Sequence, residues 1–212
     1  MDHDFWTSRW TERKISFHEG EPNALLVKHF ARLDLKPGSR IFVPLCGKSR
    51  DLGWLLAHGH RVVGIELSEI AVTELFEELG VSPAIEPIGD FTCYAHGSIA
   101  VFVGDFFKLT DAHLGPVDAV YDRAALVALP DAMRRDYAPH LIDLTAAAPQ
   151  LLVSFDYDQA TMEGPPFSVP GAEIERMYGD RYVVELLESA PISGRLAQKC
   201  SGAEETWLLS PK

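Results

Sequence analysis

The segment Ile41-Phe-Val-Pro-Leu-Cys-Gly-Lys-Ser-Arg-Asp-Leu, followed by Gly59-His-Arg-Val-Val-Gly-Ile-Glu-Leu-Ser, constrains the fold of this chain more than any other stretch. Ile41 to Leu45 is an apolar strand that runs into a glycine turn. Ser49 to His58 carries Leu52, Leu55 and Leu56 at helical spacing and stops at Gly59. Arg61 to Glu66 is a second strand, ending on an acid. A nucleotide-binding α/β unit needs this order, because the turn lets backbone approach the ligand and the acid accepts hydrogen bonds from ribose hydroxyls. Glu66 lies about twenty residues past the turn, the offset of a ribose-binding carboxylate. The turn is not GxGxxG: Gly47 is its one glycine, with Pro44 and Cys46 where a pyrophosphate loop wants more. A nucleoside without phosphates therefore fits better than a dinucleotide, and S-adenosylmethionine is such a ligand.

The rest of the chain extends the alternation. An aromatic N-terminal segment precedes a helical pattern from about Asn23 to Leu33, closed by Lys36-Pro-Gly. Ser68 caps a helix that runs to Leu79, with Gly80 as its stop. Ile85 to Ile88, Thr92 to Tyr94 and Ile99 to Val103 are short strands, some of them antiparallel, separated by turns at Gly89-Asp and His96-Gly-Ser. Val117 to Tyr121 and Gln150 to Tyr157 are buried strands, with helices over Asp131 to Ala147 and Gly171 to Tyr178. Tyr182 to Leu187 and Glu205 to Leu209 form a terminal antiparallel pair. Strands alternating with helices predict a largely parallel Rossmann-like α/β sheet with helices on both faces. Without repeats or linkers, residues 1–212 are expected to form one domain, with 1–38 as a preface.

Composition narrows the partners. The chain has 212 residues and a net charge of −12, from 31 acids against 19 bases. That balance repels phosphate backbones and anionic membranes, so neither nucleic acid nor membrane is an expected partner. The expectation is a monomer acting on a small molecule. Cys46, Cys93 and Cys200 form no C-x-x-C pair. His58-x-His60 lacks further ligands at metal spacing, and Asp156-x-Asp158 has no phosphate partner to serve, so no metal is expected. The acidic, aromatic start Met1-Asp-His-Asp-Phe-Trp is unlike a signal peptide, and a cytoplasmic location is the expectation.

Val43-Pro-Leu-Cys-Gly-Lys-Ser resembles the signature of the thiopurine S-methyltransferase family, in its bacterial type. Further stretches agree in family order across residues 5 to 178: Phe5-Trp6 with Arg9-Trp10, Phe17-His18, Gly59-His60 with Val63-Gly-Ile-Glu-Leu-Ser, Tyr121-Asp-Arg-Ala-Ala-Leu-Val-Ala-Leu-Pro, and Gly164-Pro-Pro-Phe-Ser-Val. From Tyr182 onward the match weakens. The resemblance implies a seven-stranded methyltransferase sheet whose terminal hairpin supplies its one antiparallel strand. It also implies methyl transfer from S-adenosylmethionine to sulfur, with thiopurine-like aromatic thiols as acceptors. Selenium or tellurium oxyanions and selenols are the alternative natural acceptors.

In such sheets ligands sit outside the carboxyl ends of the strands. Glu66, Asp105, Asp122 and Asp156 place carboxylates at or just past those ends. Glu66 is assigned to the ribose. Asp105 is a candidate for the adenine amino group, with capping of the next turn as its plain role. Arg123 is a candidate for the cofactor's carboxylate or an anionic acceptor, against an ion pair with Asp122 or Asp118. Leu45 and Gly47 enter as contacts through shape and backbone, Leu45 on the resemblance alone. The resemblance places Trp10 at the cofactor and Phe17 at the acceptor pocket. Phe5, Trp6, Trp10 and Phe17 together suit a lid whose rings face a sulfonium; packing on the sheet is the alternative. Gly164-Pro-Pro-Phe lacks the amide or acid of an Asn/Asp-Pro-Pro-Tyr box, which argues against nitrogen methylation of nucleic acid.

The expected chemistry is in-line displacement by a soft anion, which needs alignment and a dry pocket more than a base. No catalytic base is assigned. A NAD-dependent oxidoreductase would want a glycine-rich first turn, and a non-catalytic adenosyl-binding protein would bind ligand without transfer.

Overall fold

Strand β1 (Arg40–Val43) shows why this chain builds a two-sided sheet. Ile41 and Val43 join one apolar layer and Phe42 the other, and all three are buried. A strand apolar on both faces belongs inside a parallel sheet covered by helices on each side. The computed structural model describes residues 3–15 and 18–212. In it β1 pairs in parallel with β2 (Arg61–Glu66) and with β6 (Ala119–Arg123). β5 (Ile99–Val103) and β7 (Gln150–Tyr157) continue the parallel core on the two sides.

The sheet among the described residues has nine strands, not the seven expected. β3 (Ala84–Ile88) and β4 (Phe91–His96) add an antiparallel meander to β5, so antiparallel pairing occurs at both edges. Gly89 and Gly97, at φ +60° and +55°, make the two tight reversals. β3 is an exposed edge strand containing Pro87, a residue tolerated there because the outer N–H side has no partner to satisfy. At the other edge β8 (Tyr182–Pro191) and β9 (Gly202–Pro211) form a hairpin on β7. Both run several residues longer than the sequence suggests: pairing with β7 carries β9 back through Glu204 to Gly202, and pairing with β9 carries β8 on to Pro191. The order β3-β4-β5-β2-β1-β6-β7-β9-β8 reverses direction between β1 and β6. The crevice of an open α/β sheet forms at that point.

Helices α2 (Ala24–His29), α3 (Arg50–Ala57) and α4 (Glu69–Glu78) cover one face through Leu26, Leu52, Leu55, Val72 and Phe76. α5 (Asp111–Leu114), α6 (Asp131–Leu144) and α7 (Gly171–Tyr178) cover the other through Leu114, Tyr137, Leu141 and Ile174. Asn23, Ser49 and Ser68 cap α2, α3 and α4 as their residue types predict. α6 stops three residues before Ala147: Ala146 and Ala147 take left-handed φ, and the Thr145 hydroxyl donates back to the Leu141 carbonyl. The N-terminal aromatic segment is itself a helix, α1 (His3–Thr11). Among the described residues no helix is long and apolar enough to cross a membrane.

One buried acid ties the preface to this frame. Asp51, in the first turn of α3, accepts the Asn23 backbone N–H at 2.7 Å and the Tyr121 hydroxyl at 2.9 Å. The chain leading into α2 is thereby held against β6.

Candidate functional site

The turn after β1 and the end of β2 meet through a single carboxylate. Glu66, 6% exposed, accepts the Gly47 N–H at Oε2 and the Ser68 N–H at Oε1, each at 2.8 Å. Burial raises its pKa, and the amides of Ser68, Gly47 and Leu67 oppose that rise. A carboxylate has about four acceptor positions, so these bonds leave capacity for hydroxyls of a ligand. Gly47 sits at φ +52°, where a side chain is strained, and a Cβ there would come within 3.2 Å of the Trp10 ring.

These residues open onto a cleft of about 1270 Å³ at the carboxyl ends of the central strands. Its floor includes Leu45, Gly47, Glu66, Arg123 and Ala124. Leu45 and Ala124 stand just past the neighbouring strands β1 and β6, and both have left-handed φ, +46° and +63°. Non-glycine residues adopt that conformation at a cost, and such positions collect at ligand sites. Trp6 and Trp10 of α1 form part of the wall, with Trp10 buried. Phe5 stands behind Trp6 in an edge contact at 5.2 Å.

One ion pair ties the end of α1 to α4, and others tie the turn after β1 and the start of α3 to the same helix. Arg13, just past α1, pairs with Glu74 of α4. Lys48, beside Gly47, reaches Glu74 at 2.9 Å and Glu78 at 2.7 Å, and Arg50 reaches Glu78 at 3.3 Å. Burial alone would lower the Lys48 ammonium, but Glu78 and Glu74 outweigh it and hold it above its ordinary value.

At the far end Arg123 is mostly buried and pairs with Glu19 at 2.5 Å. The sequence offers a pair with Asp122 or Asp118 as the alternative, but Asp122 accepts from Tyr137 and Leu126 and Asp118 from the Arg40 amide. Beyond Arg123 the wall turns apolar, with Val127, Phe155, Met162, Pro165, Pro166 and Leu196, and carries Arg195 and Lys199 from the β8–β9 connection.

The fold thus brings Trp10, Leu45, Gly47, Glu66 and Arg123 to one cleft. Asp105 does not line it: its carboxylate accepts the Phe107 N–H at 3.0 Å and caps a short 3-10 turn, its plain role. Phe17 lies outside the described residues. His58 stacks on Trp54, and no cluster of three or more metal-ligating side chains occurs among the described residues. The sequence missed His18 and Glu19, although they adjoin Phe17, and it missed Lys48 inside the signature turn. His18 borders the cleft, and burial, then Lys48, lowers its pKa. Nothing local marks Arg195, Lys199 or Glu204 as wall residues; they arrive through the terminal hairpin.

A sequence model of the family described as Thiopurine S-methyltransferase matches residues 1–207. A thiopurine S-methyltransferase of Xanthobacter autotrophicus is 56% identical over 99% of both chains. One of Gluconobacter oxydans is 47% identical over 98% of this chain and 94% of its own. Among solved structures, a SAM-dependent methyltransferase of Anabaena variabilis superposes with a TM-score of 0.66 at 13% identity, over 99% of this chain and 95% of that one. Magnesium protoporphyrin IX methyltransferase of Synechocystis, with SAM bound, gives 0.60 at 18%, over 98% and 95%. At such identities the structural likeness speaks for the fold.

Proposed function

The chain belongs to the thiopurine S-methyltransferase family, and on that premise we propose that it methylates the sulfur of an aromatic or heterocyclic thiol such as a thiopurine. It is an S-adenosylmethionine-dependent methyltransferase. When bound, the cofactor supplies an electrophilic methyl group on a positively charged sulfur. The residues fit such a ligand: a buried carboxylate with acceptor capacity left, a turn kept free of side chain at Gly47, and an indole over that turn. The observation that carries the reading is the continuity of this Glu66–Gly47–Trp10 corner, through Arg123, with an apolar wall in one cleft.

Glu66 holds the ribose hydroxyls in this reading, and Leu45 shapes the floor beside them. Trp10 turns its ring to the cationic end and keeps water out. Arg123 grips the cofactor's carboxylate, and a guanidinium there also favours an acceptor in its anionic form. Phe17 is assigned to the acceptor pocket on family likeness alone. For Asp105 the turn cap is the supported role. An acidic aromatic thiol is already anionic near neutral pH, so alignment and dryness suffice without a dedicated base.

A radiolabelled methyl-transfer screen over thiopurines, thiophenols, selenite and tellurite tests the acceptor class. Transfer to the thiols is expected. Transfer confined to the selenium and tellurium anions would replace the thiol reading. A thermal shift with NAD and none with S-adenosylhomocysteine would remove the cofactor assignment as well.

A further inference from the structure

Arg123 is preceded in β6 by a carboxylate that is not part of the cleft lining. Asp122, one residue earlier in β6, is fully buried on the opposite side of the strand. Its Oδ1 accepts the Leu126 N–H at 3.1 Å and its Oδ2 the Tyr137 hydroxyl at 2.7 Å, and the Ala125 N–H is a further donor. The donors on Ala125 and Leu126 belong to the turn after β6, so the carboxylate acts as the hub around which that turn is wound. Ala124, inside the turn, is held at φ +63°, a backbone state that persists in a non-glycine residue only when its surroundings over-determine it. The turn carries Arg123, Ala124 and Val127 to the cleft. The Val127 carbonyl also accepts the Phe167 N–H at 2.6 Å, which anchors the Pro165–Pro166 wall to the same turn.

We propose that Asp122 is a positioning residue for the methyltransferase site. Its ionised carboxylate holds the 123–128 turn, and with it Arg123 and the proline wall, in the form that takes the adenosyl ligand. This inference rests on the methyltransferase reading of the cleft and adds to it a residue that touches neither cofactor nor acceptor.

The carboxylate is poised to change state in mild acid. Burial raises its pKa to about 6, against the pull of Tyr137, Leu126 and Ala125. The groups that face it are Tyr137 from α6 and Tyr178 from α7, whose phenols burial pushes up, and the buried Tyr178 hydroxyl has no hydrogen-bond partner among the described residues. The neighbouring Arg123 guanidinium is paired with Glu19. Protonation turns charge-assisted hydrogen bonds into neutral ones, roughly half as strong. Two consequences then have opposite signs. Between the ordinary carboxylate value and about 6 the folded chain binds this proton more readily than the unfolded chain does, so Asp122's contribution to stability rises as pH falls through that window. Ligand affinity falls over the same window as the turn loosens.

Calorimetric binding of S-adenosylhomocysteine between pH 5 and 8, with melting temperature measured in parallel, tests this on wild type, Asp122→Asn and Tyr137→Phe. Wild type should bind at pH 8 and weaken in acid. Asp122→Asn should bind about tenfold more weakly at pH 8 and lose most of the acid limb. Tyr137→Phe removes a donor that lowers the Asp122 pKa, so its acid limb should move to higher pH. Glu66 also titrates upward of its ordinary value, but its shift is set by burial and the amides of Ser68, Gly47 and Leu67, whereas the Tyr137 hydroxyl donates to Asp122, so the shift in Tyr137→Phe reports Asp122. If both variants keep wild-type affinity and midpoint, Asp122 is structural only and the proposal fails. If Asp122→Asn does not fold, Tyr137→Phe decides alone. Absence of wild-type binding at pH 8 would overturn the methyltransferase reading along with it.

Discussion

At the Gly47–Glu66 end of the cleft, the ligand-facing groups are a backbone turn and one buried carboxylate. At the Arg123 end they are long side chains and loops drawn from residues 18–24, 123–128, 162–166 and 192–199. The first end is assembled within one βαβ unit, and its geometry follows from hydrogen bonds of 2.8 Å between groups nineteen or fewer residues apart. The second is held by an ion pair to a half-exposed Glu19 and by chain segments that meet only after the sheet has formed. A preorganised end suits a ligand common to many enzymes, and an end made of exchangeable loops suits an acceptor that varies.

The sharpest way to break this contrast is to remove the rigid end. Glu66→Ala deletes the acceptor for two amides as well as for the ribose hydroxyls. Lost charge-assisted bonds of about 1.5–3 kcal/mol should raise the S-adenosylmethionine Kd about ten- to more than a hundredfold. Unchanged affinity in a folded variant, measured by calorimetry, would end the ribose assignment.

Deleting residues 1–17 tests whether α1 belongs to the rigid end. Its docking rests on Trp10 over Gly47 and on the Arg13–Glu74 pair, and Glu74 keeps Lys48 afterwards. The sheet should therefore stay folded while turnover falls about thirtyfold, the equivalent of a desolvated cation–π contact of about 2 kcal/mol. Full turnover and cofactor affinity in the truncated chain would mean that the helix is not a lid.

Arg123 marks the boundary between the two ends. Arg123→Ala should raise the cofactor Kd about tenfold, and Arg123→Lys should lose the planar fork and recover only part of that. If the acceptor KM moves instead of the cofactor Kd, Arg123 belongs to the variable end. The smallest effect is expected at its partner. Glu19→Gln removes a competing carboxylate whose half-exposed pair is worth at most about 1 kcal/mol, so anionic ligands should bind about threefold more tightly. Weaker binding would show that Glu19 orients Arg123 rather than competing for it.

The sequence by itself determined the rigid end. Strand, glycine turn, helix, strand and acid are consecutive, and their roles follow from backbone conformation and hydrogen-bonding type, which neighbouring residues specify. The Ser68 cap was legible for the same reason. The meander of β3 and β4 was only partly legible, because an exposed edge strand lacks the apolar pattern that marks a buried one. Only the tertiary structure decided which residues complete the cleft. Arg195 and Lys199 reach it from a hairpin whose place is set by pairing with β7, and Glu19 reaches Arg123 because Asp51 pins the chain at Asn23. It also separated Asp105 from Glu66, since two acids at strand ends read alike until the turn after β5 takes one of them as its cap. Charge and side-chain type say what a residue can bind, and packing at long range in the chain decides what it meets.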